Sequence, residues 1–483
     1  MLFNSYVFVL LFLPLCAAGY FALNKIGTGA ANLFLFGMSL WFYGYLNPRY
    51  LAIICFSILL NYSLSLLMRR GSKQSLRKVL LVLGIAANLG LLGYFKYMDF
   101  FLTNLNALFH ANFRLLQIAL PLGISFFTFQ QLSFLVDTYW GKGAETGFIT
   151  YACYVSFFPQ LVAGPIVTHD EFLPQFQEQK NRRVNWENLA IGIYIFVLGL
   201  AKKVIIADTF GQVVEAGYTV IPNLNSPSAV FLILSYTLQI YFDFSGYCDM
   251  AIGIGRMFNI KLPVNFHSPY KAVSITDFWD RWHMTLTRFF TRYVYIPLGG
   301  SRKGTARTCV NVMLVFLLSG LWHGASWTFV FWGGCHGLLM VLERLFENKL
   351  ERIPKLIRGC FTFVFVNVMW VFFRAADFGQ AFELLGRVFT GGMGELPYYF
   401  TACFQIKGMA SVLQRLPMNA YFPIIMTTIF VAVTCYMTFF TRSVQERTEG
   451  KKLTTRSAVF AAALLVWCIL SFENVSAFLY FNF

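Results

Sequence analysis

The chain has 483 residues, of which 57% are hydrophobic, 18% aromatic and only 12% charged. A soluble domain carries about 25% charged residues, so this composition excludes an ordinary globular surface, and the mean hydropathy of +0.60 agrees. The formal charge of +16 sits in short loops between apolar runs, at residues 69–78, 180–183, 302–307 and 349–358, a placement that marks the cytoplasmic face of a membrane protein and argues against nucleic acid as a partner.

The first apolar run begins at Met1 with almost no basic residue before it, and it reads as a first transmembrane helix rather than a removed signal peptide. Later runs, such as 79–94 with its flanks and 421–440, are long enough to cross a bilayer core of about 30 Å. The charge pattern places the N-terminus outside, Lys25 inside, residues 47–49 outside and 69–78 inside. Residues 161–166 break an apolar run at Gly164-Pro165, and 169–183 form a polar amphipathic stretch predicted to lie on the surface. Gly246, Gly253 and Gly255 are predicted to interrupt the next run. Such breaks at membrane depth persist only where backbone is buried in protein or lines a cavity, so the middle third is expected to hold one.

Residues 343–358 and 442–456 are basic amphipathic stretches assigned to the cytoplasmic surface. Spans at 359–373 and 421–440 then leave 374–419 outside, and a last span at 457–472 returns the C-terminus outside. The expected fold is an all-α polytopic membrane protein with roughly 11–13 membrane-embedded helices around a central polar cavity or tunnel. It reads as a single domain, 1–483, with a core at 1–375 and a C-terminal extension at 376–483, and it shows no internal repeat.

The ten cysteines are scattered singly, with no CxxC pair, and read as small hydrophobes; neither a disulfide framework nor a metal site is expected. Of the six histidines, His110 and His169 are assigned to surface loops and His267 to a turn-rich loop. His283 lies in a charged aromatic stretch that begins at Ser274. Ser274 and Asp277 have capping-box spacing, so a helix is predicted there. Asp277 and Arg281 then pair four apart, and Asp280 meets His283 three apart. A charged helix in so apolar a chain is costly unless it lines a polar cavity; the plainer alternative is an interfacial helix. His323 lies between apolar runs, flanked by Gly320 and Gly324, in a setting that suits a neutral imidazole acting as a base. His336 has a similar setting and is nearer a satisfied core histidine. Composition and spacing alone leave two classes open, an enzyme or a transporter.

Six stretches narrow the choice: residues 121–127, 157–165, Asp243 to Tyr247, Phe278 to Met284, Tyr295 to Gly300, and Ser319 to Gly324. Together they resemble the membrane-bound O-acyltransferase family, and more narrowly its bacterial branch containing the alginate O-acetyltransferase membrane subunit. In that family two polar residues about forty positions apart serve the reaction, and His283 and His323 stand forty apart here. The resemblance implies His323 as the catalytic histidine and His283 as its companion. It offers Asp243, Ser245, Asp280, Arg281, Trp322 and His336 as substrate contacts. Relatives often carry a tryptophan and an aspartate where this chain has Phe289 and Arg292. The implied reaction moves an acyl group, expected to be acetyl, from a cytoplasmic thioester such as acetyl-CoA to hydroxyls of an extracellular polysaccharide. No tightly bound cofactor is expected. Groups near His283 are expected to orient the donor or hold the developing oxyanion. Relatives work with esterase-like extracellular partners, and the exposed aromatics Tyr398 and Tyr399 are the expected contacts. The chain is expected in the cell (plasma or inner) membrane, in contact with the lipid bilayer. Alternatives are D-alanyl transfer to teichoic acid, a peptidoglycan acceptor, or a polysaccharide or lipid transporter without chemistry.

Overall fold

The computed structural model describes residues 1–143, 145–404, 421–450, 452–472 and 476–479. Within them the regular structure is helical; the nearest thing to a strand is an isolated antiparallel bridge between Phe266 and Trp282. In chain order the helices are α1 (Leu13–Asn24), α2 (Thr28–Gly44), α3 (Arg49–Arg70), α4 (Gln74–Leu92), α5 (Met98–Phe109), α6 (Ile124–Tyr139), α7 (Phe148–Ser156), α8 (Phe158–Leu161) and α9 (His169–Gln177). They continue as α10 (Trp186–Ala201), α11 (Asp208–Thr219), α12 (Ser226–Met257), α13 (Ile275–Trp279), α14 (Met284–Phe290), α15 (Thr305–His323), α16 (Trp327–Leu345), α17 (Glu347–Leu350), α18 (Lys355–Arg374), α19 (Phe378–Thr390), α20 (Tyr398–Thr401), α21 (Phe422–Phe440), α22 (Val444–Thr448) and α23 (Thr455–Leu470).

Eight helical runs among the described residues are long and apolar enough to cross a membrane, and α23 is apolar but shorter. The protein is therefore an all-α polytopic membrane protein. Three of the runs are composite, the first being Val7–Asn24, where a π-helical stretch at Val7–Phe12 leads into α1. Residues Gln74–Phe109 join α4 to α5 through a π-helical turn at Gly93–Tyr97, and Trp186–Thr219 join α10 to α11 through another at Lys202–Ala207. A fourth π turn, Thr291–Tyr295, comes directly after α14. A π turn inserts a residue and rotates the remainder of the helix, and such turns concentrate at functional sites. The stretch at Val7–Phe12 is wholly apolar, whereas each of the three later ones presents a basic residue to another element. Lys96 bonds the end of α15, Lys203 pairs with Asp243 of α12, and Arg292 pairs with Asp137 of α6.

The centre of the molecule is α12, which crosses beside α10, α11, α18 and α19. Contrary to the sequence reading, Gly246, Gly253 and Gly255 do not break this helix, which runs unbroken for 32 residues. They let a neighbour approach instead. A Cβ at Gly246 would stand 2.8 Å from the Gly199 carbonyl oxygen, and one at Gly253 would stand 2.6 Å from the Phe196 nitrogen. Small residues at matching heights on two helices allow this close backbone packing, the main source of helix association in lipid. The α15–α16 hairpin uses the same device, since a Cβ at Gly320 would stand 2.3 Å from the Phe329 carbonyl oxygen.

Two further expectations change. His169 is not at the surface: it is 1% exposed, with Nε2 3.1 Å from the Lys142 carbonyl oxygen and Nδ1 3.5 Å from Asp137. Its helix α9 starts with a capping box at Thr168 and Glu171 and buries Phe172, Leu173 and Phe176, so the amphipathic stretch lies against the core. The stretch 274–286 is also not one helix. Ser274 does cap α13, accepting the Asp277 N–H, and Asp277 does pair with Arg281 at 2.6 Å. The helix then stops at Trp279, and His283 adopts left-handed backbone (φ 47°) before α14 begins. Asp280 is exposed, whereas His283 is buried, so the two do not meet as the helical spacing predicts. Of the segment 374–419 assigned to the outside, residues 405–419 lie outside the described residues.

Candidate active site

His283 is placed by backbone. The loop around Asn265 lies antiparallel to residues 281–284: His267 N–H donates to the Arg281 carbonyl at 3.0 Å, and Met284 N–H to the Asn265 carbonyl at 3.1 Å. Left-handed backbone at a non-glycine residue costs on the order of 1–3 kcal/mol and persists only where neighbours over-determine it. These bonds supply that constraint.

The side chain of Asn265 then fixes the ring. Its Oδ1 lies 3.2 Å from the Thr285 backbone nitrogen, 3.0 Å from Thr285 Oγ1 and 3.2 Å from His283 Nδ1. A backbone N–H can only donate, so the amide oxygen must be the atom facing Thr285. The same oxygen faces His283 Nδ1, which must therefore carry a proton. In the neutral ring the lone pair is on Nε2. His283 is fully buried, with Phe244 at 4.8 Å and Trp322 at 6.0 Å between ring centroids.

His323 is the last residue of α15 and packs among aromatic rings. Trp332 lies 5.2 Å and Phe373 5.3 Å from it between centroids. The two histidines, forty positions apart in the chain, come to 6.3 Å between ring centroids. His323 and Trp322 line a small cleft with Lys96, Pro121, Ser125 and Phe126. A larger cavity of about 340 Å³ adjoins it through Lys96 and contains Asp99, Gly324 and Ser326.

The remaining sequence candidates divide. Trp322 is in the cleft. His336 is fully buried one ring further away, accepting the Trp279 indole N–H at 3.2 Å and packing on Trp332 at 4.8 Å. Asp243 sits in a buried ion network: Oδ1 is 2.7 Å from Lys203, and Oδ2 accepts the Leu479 N–H at 3.0 Å. Lys203 also reaches Asp208 at 2.6 Å. Ser245 is buried on the same helix. Arg281 is turned to Asp277, and Asp280 is exposed, with burial and the neighbouring Asp277 charge raising its carboxyl above the usual range. Arg292 brings one nitrogen, Nη2, to 3.0 Å from both carboxylate oxygens of buried Asp137, and the Tyr293 hydroxyl donates to the same carboxylate at 2.7 Å.

Two residues at the site are absent from the sequence candidates. Lys96 has a visible signal, a solitary lysine inside an apolar run, which is costly unless it serves a site. Asn265 has none, because an asparagine beside a proline-rich turn is the commonplace choice for a loop.

Comparison with known proteins now bears on this geometry. The model of the membrane-bound O-acyltransferase family matches residues 144–376, which include both histidines. A peptidoglycan O-acetyltransferase of Helicobacter pylori is 39% identical, over 100% of this chain and 98% of its own length. The chain belongs to the membrane-bound O-acyltransferase family. A probable alginate O-acetylase of Pseudomonas putida is 38% identical over 82% of each chain. A teichoic acid D-alanyltransferase of Bacillus subtilis is 28% identical over 47% of this chain and 60% of its own. The protein is thus an enzyme, an O-acyltransferase, and multi-pass in the membrane.

Proposed function

We propose that this enzyme moves an acetyl group from a cytoplasmic thioester, acetyl-CoA, toward hydroxyls of an extracellular polysaccharide, with peptidoglycan as the first candidate acceptor. The observation that carries the reading is the meeting of His283 and His323, two buried imidazoles from distant parts of the chain, beside a cleft. Peptidoglycan is preferred because the likeness to a peptidoglycan O-acetyltransferase runs the full length of both chains, including the C-terminal extension, whereas that to the alginate O-acetylase covers 82%. The D-alanyl alternative has support over less than half of the chain.

In the proposed step, His323 takes the proton of the acceptor hydroxyl as its oxygen attacks the thioester carbonyl carbon. A C–O bond forms and the carbonyl π pair moves onto oxygen. When that pair returns, the C–S bond breaks and the thiolate leaves with the proton that His323 held. His283, fixed with its lone pair on Nε2, is an acceptor in its neutral form and serves to orient the attacking side. An esterase-like extracellular partner receives the acyl group, because an intramembrane cleft does not admit a polymer. Tyr398 and Tyr399, at 69% and 43% exposure, are available for that contact.

The test is purified protein in liposomes with radiolabelled acetyl-CoA and an acceptor glycan fragment. Wild type should release free thiol, and the glycan should be labelled only when the esterase-like partner is added; glycan labelling without it would show that no partner is needed. A variant His323→Ala that folds and still turns over at the wild-type rate would overturn the reading.

A further inference from the structure

The proposed step makes an oxyanion, and the two histidines are poorly placed to hold it. His323 must begin with a lone pair to act as a base, and Asn265 forces the lone pair of neutral His283 onto Nε2. Something else must meet the negative charge. Among the residues lining the cleft at His323, the one lysine or arginine is Lys96. We propose that Lys96 is a catalytic residue for acyl transfer, its ammonium stabilising the thioester oxyanion beside His323; this rests on the acyltransfer reading given above.

Three observations support the assignment. Lys96 stands within a membrane-spanning run, on the π turn Gly93–Tyr97, and no carboxylate among the described residues pairs with it. The nearest acid in sequence, Asp99, is turned to a loop and accepts the Leu116 and Gln117 N–H groups at 2.7 and 2.8 Å. A lysine at membrane depth without an acidic partner is expensive and marks a substrate path by default.

The second observation is its anchorage. Nζ donates to the Trp322 carbonyl at 2.6 Å and the His323 carbonyl at 3.1 Å, at the C-terminal end of α15. The carbonyl end of a helix carries partial negative charge, which favours a cation there. Two of the three ammonium donors are engaged in this way, which leaves one for a substrate oxygen. The charge is thereby held against the same residue that supplies the base.

The third is position. Lys96 lines both the cleft and the adjoining cavity, so substrate passing between them meets it. A second donor is at hand: the indole N–H of Trp322, which lines the cleft, has no acceptor among the described residues.

A plainer role competes. Tyr97, the next residue on the π turn, donates to the Leu321 carbonyl at 2.9 Å, so Lys96 and Tyr97 together bond three successive carbonyls at the end of α15. Both would then be caps only. The experiment separates the two roles with Lys96→Gln, Lys96→Met, Lys96→Arg and Tyr97→Phe, assayed as kcat and KM for acetyl-CoA in liposomes, each with its Tm. Glutamine bonds carbonyls but carries no charge. A catalytic charge predicts that Gln and Met both lower kcat by about 10²–10³-fold, the usual loss of one oxyanion donor, with KM nearly unchanged and with Arg recovering part of the rate. Lys96→Gln at the wild-type rate would overturn the proposal. If the neutral variants do not fold, Tyr97→Phe decides. Wild-type kcat there shows that capping this helix end does not limit the reaction and supports the charge. A loss as large as that predicted for Lys96→Met assigns both side chains to capping and overturns it. His323→Ala in the same assay keeps the outcomes apart. If it is dead while Lys96→Gln is unaffected, only the lysine assignment fails; if it is fully active, the acyltransfer mechanism fails first.

Discussion

His283 and His323 face one another and share Trp322 as a neighbour, yet the chain sets them in place differently. His283 is gripped by hydrogen bonds, with Asn265 Oδ1 on its Nδ1 and a strained left-handed backbone tied to the Asn265 loop. His323 sits at the end of a 19-residue helix among aromatic rings, with Trp332 and Phe373 each within 5.3 Å between centroids. On the His283 side a hydrogen bond fixes which nitrogen carries the proton; on the His323 side ring packing fixes where the imidazole lies. The contrast fits a division of labour in which one ring holds a constant protonation pattern and the other cycles through protonation.

The largest expected effect breaks the contrast on the His323 side. His323→Ala should lower turnover by about 10²–10⁴-fold, the usual worth of a general base, with Tm also lowered because the loss of a buried ring leaves a cavity. Steady-state thiol release and a thermal melt check both parts.

Next comes Asp243, to which the resemblance assigns a substrate contact. Its place in a buried network with Lys203, Asp208 and the Leu479 N–H predicts a structural loss. Removing one partner of a buried ion pair costs about 3–5 kcal/mol. Asp243→Ala should therefore appear as a lowered Tm and poor recovery from detergent. A stable Asp243→Ala with a raised KM would instead place this carboxylate on the substrate.

Asn265→Leu addresses the His283 side. It strips the acceptor from His283 Nδ1 and from the Thr285 N–H, an expected cost of about 1–3 kcal/mol for the buried donors left behind. It should also lower kcat more than it raises KM, because the ring loses its fixed tautomer. A melt and a kcat/KM series check it, and an unchanged kcat would show that His283 needs no such restraint.

The smallest effect lies at the surface, on Glu446 of α22. Burial is the largest single influence and raises its pKa, but the hydrogen bonds from His267 and Ser443 together with the His267 charge outweigh it and hold the carboxyl down at about 2. A depressed folded-state pKa contributes stability above the unfolded value near 4.5, and that contribution is lost as pH falls toward 2. The pair is largely solvent-exposed, so the contribution stays within about 0–1 kcal/mol. His267→Ala should flatten the Tm against pH profile between about pH 5 and pH 2 without altering turnover at neutral pH.

Local signals in the sequence translate well. The Ser274 cap and the Asp277–Arg281 pair are both present, because partners three or four residues apart need only a helix to meet. Errors arise where the deciding partner is distant. The polar segment around His169 argues for the surface, but Asp137 and the Lys142 carbonyl draw the ring inside. Helical spacing pairs Asp280 with His283, but the loop around Asn265 stops that helix and turns His283 the other way. The glycines of α12 look like breaks because a single sequence shows the glycine and not the opposing backbone of α10. The two histidines stand out through resemblance; what orients them, Asn265 and the π turn bearing Lys96, is a matter of tertiary contact.

The central claim is that His283 and His323 act as one unit in acyl transfer, and a double-mutant cycle tests it most directly. Turnover of acetyl-CoA would be measured for His283→Ala, His323→Ala and the double variant, all confirmed folded. Groups that act as a unit are strongly non-additive. The account predicts that the double variant is no slower than His323→Ala alone. A double variant slowed by the full product of the two single effects would show two independent residues and contradict it.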